Sequence, residues 1–436
     1  MEMKKYKLGE LMDVTRGQSL SGEYYSKSGN LVRLTLGNFD YHNNCFKDDK
    51  SKDNLYFTGS VKKEFILKKD DIITPLTEQA IGLLGSTAKI PCSGKYIQSQ
   101  DVALIKCNKK LNPDFAFYLI PSKIVRNQLS AAAQQTKIRH TSPDKIKDCS
   151  VWVPEYSEQE KIGKLLSRID NKIAINRQIN RNLEELAKQI YDYWFVQFDF
   201  PNEEGKPYKS SGGKMVWNEF LKREIPADWE IKKISSQIEE NIGGDWGKEE
   251  PEGNYQLKVS CCRGADLVSM TDLPTRYILN SNSDKLLEED DMIVEISGGS
   301  PTQATGRCVL ISKEILNSFN NKLICSNFCQ ALSISDKDYV SYFYYMWKMF
   351  YNSDVFFNFE GKTSGIKNFQ YDTFVAEKWY FPPKDLAKKF KEIVSQNYIK
   401  KCALDQENKH LAALRDELLP LLMNGQVTLN SCLSHD

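Results

Sequence analysis

From Ile162 to Trp194 the apolar positions return every three and four residues. Positions 162, 169, 176, 183 and 190 carry Ile, Ile, Asn, Leu and Ile. Positions 166, 173, 180, 187 and 194 carry Leu, Ile, Asn, Ala and Trp. Sustained 3.5-residue spacing predicts a helix packing as a coiled coil. Ser157, with Glu160 three residues on, has the spacing of a capping box at its start. A second run is Phe390, Asn397, Leu404, Leu411 and Leu418, with Val394, Lys401, Asn408, Arg415 and Leu422. It repeats the pattern with more polar members. Polar seam residues need polar partners, which Asn176 and Asn180 supply, so the two helices are predicted to pair as an antiparallel coiled coil. Each would span roughly 35 residues, or 50 Å at 1.5 Å per residue.

Before each helix lie some 150 residues of short β-like runs broken by Gly, Asn, Asp and Pro. Helical pieces are expected at 113–128 and 337–351. The two stretches echo one another. Phe65-Ile66-Leu67-Lys68-Lys69-Asp70-Asp71-Ile72-Ile73 returns as Leu286-Leu287-Glu288-Glu289-Asp290-Asp291-Met292-Ile293. The segment 134–139 has a counterpart in 361–367. Val151-Trp152-Val153-Pro154 matches Trp379-Tyr380-Phe381-Pro382 at an offset of 228, which carries on through Asn180 onto Asn408 and Leu183 onto Leu411. A duplication is the simplest account. The fold class is therefore α+β, with two globular modules, each followed by a long helix. Boundaries fall at 1–153 for the first module, 154–200 for its helix and 201–226 for a Gly/Pro/Ser-rich linker. The second module spans 227–383, its helix 384–425 and a tail 426–436.

Composition narrows the class. Of 436 residues 41% are hydrophobic and 11% aromatic, enough to fold and bury cores. No apolar stretch approaches the roughly 18 residues of a membrane span, and Met1-Glu2-Met3-Lys4-Lys5 leads into a polar segment unlike a signal peptide. Eleven Cys without paired CxxC spacing read as reduced thiols of a cytoplasmic protein. Net charge is +1, but residues 1–153 hold 24 Lys+Arg against 16 Asp+Glu, while residues 227–381 hold 15 against 23. The halves thus differ by +8 and −8.

Catalytic patterns are missing. Gly361-Lys362-Thr363 ends like a phosphate-binding loop, but Phe356 stands where its first Gly is needed. Asn112-Pro113-Asp114-Phe115 lacks the second Pro of an adenine-methylating loop, and opens a helix instead. Pro143-Asp144 with Asp170-Asn171-Lys172 is a poor nuclease set, its second part being a solvated helix face. Cys325 and Cys329, one helical turn apart if helical, have no His or second Cys pair near them. Cys261-Cys262 reads as buried. No metal or cofactor is expected on this chain.

Two modules, each leading into a long helix, resemble the specificity subunit of type I restriction–modification enzymes. The residues that carry the resemblance are Pro154, Glu158, Gln159, Ile162, Leu166, Asp170, Ile173 and Asn176, with Trp194-Phe195 and Phe198. Segments 209–215 and 224–229 are similar to the family's connector, and 415–425 to its C-terminal end. The second helix departs from the pattern, with Leu386-Ala387 in place of Glu-Gln.

The resemblance implies a non-catalytic DNA reader. Each module would read half of a bipartite, gapped site in double-stranded DNA, and the helices would set the gap. A pair of methylation subunits would dock there and bring S-adenosylmethionine; restriction subunits would join in systems that cleave. About 50 Å of helix matches about 15 base pairs. Base and phosphate contacts call for Arg, Lys, Asn, Gln, Ser and Thr on loops. The expected DNA-binding residues are Arg16, Gln18, Arg33, Gln79, Gln135, Lys137 and Arg139 in the first module. In the second they are Lys248, Arg263, Gln303, Arg307, Lys362, Thr363 and Lys367. Helix pairing and partner docking are expected of Glu158, Gln159, Ile162, Leu166, Ile169, Ile173, Asn176, Asn180, Leu183, Leu404, Asn408 and Leu411. The competing reading is a cytosolic coiled-coil scaffold with two protein-binding modules.

Overall fold

The computed structural model describes residues 2–41, 43–49, 51–78, 82–132, 139–298, 302–363 and 366–429, with backbone only at Ala132, Lys362 and Thr363. It divides into two compact units, residues 1–174 with 408–436, and residues 175–407.

In the first unit, Lys4–Lys7 pairs antiparallel with Ser150–Val153, so the module closes on its own start. Its main sheet runs in the order Ala88–Lys89, Ile72–Pro75, Val102–Cys107, Met12–Arg16. Successive side chains of a strand point to opposite faces. Ile72, Ala103 and Ile105 accordingly enter one core with Phe115 and Leu119, while Ile73, Val102 and Leu104 enter another with Leu34, Phe39 and Tyr96. Both faces are covered, which is why these strands read as unbroken apolar runs.

The second unit repeats this plan. Glu230–Lys233 pairs with Lys378–Phe381, the strand found in sequence at the offset of 228. The main sheet has the order Ile238–Gly243, Cys329–Ile334, Met292–Glu295, Cys308–Leu310. The repeated Asp-Asp turn has one geometry in both units. Asp70 and Asp290 adopt left-handed backbones (φ 67° and 74°). Asp71 accepts from the Lys68 amide at 2.8 Å, and Asp291 from the Glu288 amide at 2.7 Å. Asp tolerates this conformation and ties its own turn, so the pattern survives where the apolar residues around it drift.

The long helices are Tyr156–Tyr191 and Lys384–Met423. Of the first seam only Leu183 and Ile190 are half-exposed and the rest are buried; no member of the second seam is exposed. Within the second unit, Asn176 donates to Glu407 at 2.7 Å, Asn180 to Asp405 at 2.7 Å, and Lys401 pairs with Glu184 at 2.7 Å. Residue numbers rise along one helix as they fall along the other, so this stretch is antiparallel. Within the first unit Arg415 meets Asp170 at 2.8 Å, and Leu422 and Met423 join the core of Ile162 and Leu166.

Several local expectations are corrected. The first helix starts at Tyr156, which puts Ser157 inside its first turn; the amides of Glu158 and Gln159 bond to the Glu155 carbonyl, and Glu160 pairs with Lys164 at 2.9 Å. No capping box forms. The piece 113–128 is two helices, Pro113–Leu119 and Lys123–Ala132. Pro121 has no N–H for the Phe117 carbonyl, which accepts from Thr87 Oγ1 instead, at 2.9 Å. Cys325 ends one strand and Cys329 begins the next, so no helical turn links them. Asn176 and Asn180 each donate to a carboxylate at the seam's edge, and the carbonyl of the seam residue Lys401 lies 3.4 Å from Asn180 Nδ2. Segment 201–226 is an ordered connector of the second unit. It holds a hairpin of Met215–Asn218 with Arg223–Pro226, Tyr208 stacks on Phe200 at 4.6 Å, and Asp199 accepts from the Ser210 amide and hydroxyl.

Candidate nucleic-acid interface

Each module carries a small antiparallel sheet beside its main one. In the first, Thr77–Glu78 pairs with Arg139–His140, setting Glu78 opposite Arg139. In the second, Ser297–Gly298 pairs with Ile366–Phe369, setting Gly298 opposite Lys367. Arg139 and Lys367 are 228 residues apart, so the duplication puts a cation at the same place twice.

Both cations sit by buried carboxylates that hold a neighbouring loop. Glu78, 7% exposed, accepts from the amides of Gly82 at 2.7 Å and Leu84 at 3.3 Å, and its other oxygen lies 3.7 Å from Arg139. Glu360 accepts from the Thr305 amide at 2.8 Å and pairs with Lys367 at 2.9 Å. Glu295, 4% exposed, takes Arg307 bidentately at 2.9 and 2.6 Å. Removing one member of such a pair leaves the other buried and uncompensated. These side chains therefore fix loop geometry whatever else they touch.

The other expected DNA contacts divide by environment. Arg16 is exposed, with Nε donating to the Gln100 carbonyl at 2.7 Å. Gln18 holds the neighbouring loop, donating to the Ser60 carbonyl at 3.3 Å and accepting from the Lys62 amide at 3.4 Å. Lys62 and Lys63 are exposed beside it; as an adjacent pair of cations they were visible in the sequence and overlooked. Arg33 is buried, lies 3.9 Å over the Tyr25 ring, and donates to Asn54, so it is a packing residue. Arg263 grips Asp266 at 2.8 and 2.9 Å. Lys248 pairs with Glu252 at 3.5 Å and lies over Tyr255. Gln303 is exposed, and its carbonyl accepts from Lys367 at 3.3 Å. Gln79, Gln135 and Lys137 lie outside the described residues, and Lys362 and Thr363 are placed by backbone alone, in the strand Glu360–Thr363.

Of the helix residues, Glu158 pairs with Lys161 at 2.6 Å. Gln159 is 1% exposed and turned into its own module, accepting from the Asn112 amide and donating to the carbonyls of Lys110 and Pro154. Ala387, its counterpart in the second helix, and Leu386, the counterpart of Glu158, are also buried. The departure at these positions thus changes packing inside a module. Leu183, Leu404, Asn408 and Leu411 are half-buried. Burial pushes the thiols of Cys261 and Cys329 up to about 12, so they stay protonated and inert. Among the described residues no three His, Cys, Asp or Glu are grouped to hold a metal ion, and no helix is long and apolar enough to cross a membrane.

The architecture is that of a two-module protein, a duplicated α+β unit leading each time into a long helix. Residues 1–185 match the type I restriction modification DNA specificity domain. The MjaIX type I restriction enzyme specificity subunit of Methanocaldococcus jannaschii is 23% identical over 331 residues, covering 72% of this chain and 69% of that protein. The HindI specificity subunit of Haemophilus influenzae is 26% identical over 201 residues, 45% and 42% of the two chains. The fold is also that of the crystallised S subunit of the type I system from M. genitalium, with a TM-score of 0.60 at 17% identity over 97% of this chain and 96% of that one. The chain is thus similar to specificity subunits of type I restriction–modification enzymes, through the domain matched by its first 185 residues and through a relative aligned over 331 residues.

Proposed function

We propose that the two modules read the two halves of a bipartite, gapped site in double-stranded DNA, and that the paired helices set the gap. Methylation subunits, two in number, dock on the helical region and carry S-adenosylmethionine; restriction subunits join where cleavage occurs. The complex works in the cytoplasm. The observation that supports this reading is the duplication itself. One sheet order, one Asp-Asp turn and one cation–carboxylate loop anchor occur in each module. Arg16, Lys62 and Lys63 supply exposed charge for phosphates in the first module, and we assign base contacts to the loops beside the small sheets. The modules are the segments 1–153 and 227–383, and the helical segments are 154–200 and 384–425.

The test is co-expression with the neighbouring methylation subunit, followed by methylome sequencing of host DNA. The expected result is methylated adenine in one motif of two short halves and a fixed gap. A stable complex that left no new methylation would sink the proposal and favour a scaffold.

A further inference from the structure

The second module has an open cleft between its main and small sheets, lined by Asn241, Ser297, Gln330, Asn368, Gln370 and Asp372. Gln330 stands on the central strand Cys329–Ile334, with Gly243 opposite on one side and Val294 on the other. Gly243 has no side chain to fill the space beside it, and Asn241 follows two residues away on the same edge strand, hence on the same face. The side chain of Gln330 is 8% exposed, yet its Nε2 is buried with no acceptor among the described residues. Those of Asn241 and Gln370 also make no hydrogen bond there, whereas Ser297 Oγ holds Asn368 Oδ1 at 2.7 Å.

A buried amide donor without an acceptor carries a desolvation penalty. Held on a central strand, it persists here in a cleft whose neutral polar groups are amides and hydroxyls, with Ile296 and Phe369 also in its wall and Asp372 at its edge. An amide offers one donor and one acceptor side by side, which matches adenine N7 and N6–H in the major groove. Asp372 at the rim would repel a phosphate and accept from a base amino group, so the cleft suits base edges and not backbone. The first module has Ala103 and Val14 at the places of Gln330 and Asn241. The amide set therefore belongs to one half of the duplication, as a reader of one half-site must.

We propose that this cleft reads an adenine·thymine pair in the half-site of the second module, with Gln330 and Asn241 as specificity-determining residues. The proposal rests on the bipartite reading above. The test uses the complex with methylation subunits, its motif first found by methylome sequencing, and binding to duplexes with each base pair replaced in turn. Gln330→Met keeps the size and removes the unpaired donor, so the folded protein should melt at the same temperature or higher. At one A·T position of one half-site, discrimination should fall about ten- to a hundredfold, with the other half-site read as before. Asn241→Ala, an exposed position, should relax the same position. If both variants read every position as strictly as the wild type, the cleft is no base reader. A lower melting temperature for Gln330→Met with unchanged specificity in Asn241→Ala would make Gln330 structural and also overturn the proposal. A wild-type complex that methylates no motif would overturn the bipartite reading, and with it this one.

Discussion

Gly17 and Gly244 show what one missing methyl group secures. A Cβ on Gly17 would stand 2.2 Å from the Ser99 carbonyl oxygen, and one on Gly244 would stand 1.9 Å from that of Ser326. Backbone cannot yield as a side-chain end can, so Gly17→Ala and Gly244→Ala should each lose about 1–3 kcal/mol, read as a lower midpoint in thermal or urea unfolding. Gly243→Ala is the internal control, since nothing lies within 4 Å of its Cβ and its backbone is not left-handed. It should be neutral or slightly stabilising. Equal losses at 243 and 244 would refute the close-approach argument. These positions were not legible in the sequence, because the opposing carbonyls belong to segments some 80 residues away. The burial of Arg33 was not legible either, because nothing in the sequence says that the Tyr25 ring will lie under its guanidinium. The Asp-Asp turns were legible because their hydrogen bonds close over three residues.

At the scale of elements, periodicity gave the long helices and both seams, since a 3.5-residue repeat depends on nothing distant. Ends and breaks were less legible. A start two residues early is enough to displace Ser157 from the cap, and only the Thr87 bond to Phe117 shows how the helix interrupted at Pro121 satisfies its carbonyl. The polar patch of the seam has a consequence for specificity. Asn176 and Asn180 each give an amide donor to an edge carboxylate, where Leu would bury more apolar area, and polar seam residues fix register at the expense of stability. Replacing both by Leu should raise the unfolding temperature and at the same time broaden the oligomeric distribution in sedimentation velocity. A more stable variant that remained a single species would show that the two Asn do not set the register. Tyr118 supports the first unit's helix contact differently. Burial and then the adjacent Asp170 push its phenol up, so it stays a donor to that carboxylate, at 2.6 Å.

For the whole molecule, the duplication was visible at its closing strands and helices, whereas the charge split misled as to how much cation is free. In the second module Lys248, Arg263, Arg276, Arg307 and Lys367 each have a carboxylate within 3.5 Å. Its pull on phosphate is therefore weaker than its Lys and Arg count suggests, and non-specific affinity should fall mainly to the first module. If the helices are the ruler between two readers, spacing and specificity must be separable. One heptad removed from each long helix, around Asn180 and Asp405, keeps the apolar seam on its face, because seven residues are close to two turns. It shortens each helix by about 10 Å, the rise of about three base pairs. The methylome of that variant should show both half-sites unchanged with a gap about three base pairs shorter. An unaltered gap would take the ruler role from the helices. Loss of one half-site alone would mean that the deletion damaged a reader, so the length of the helices and the reading of bases would not be independent.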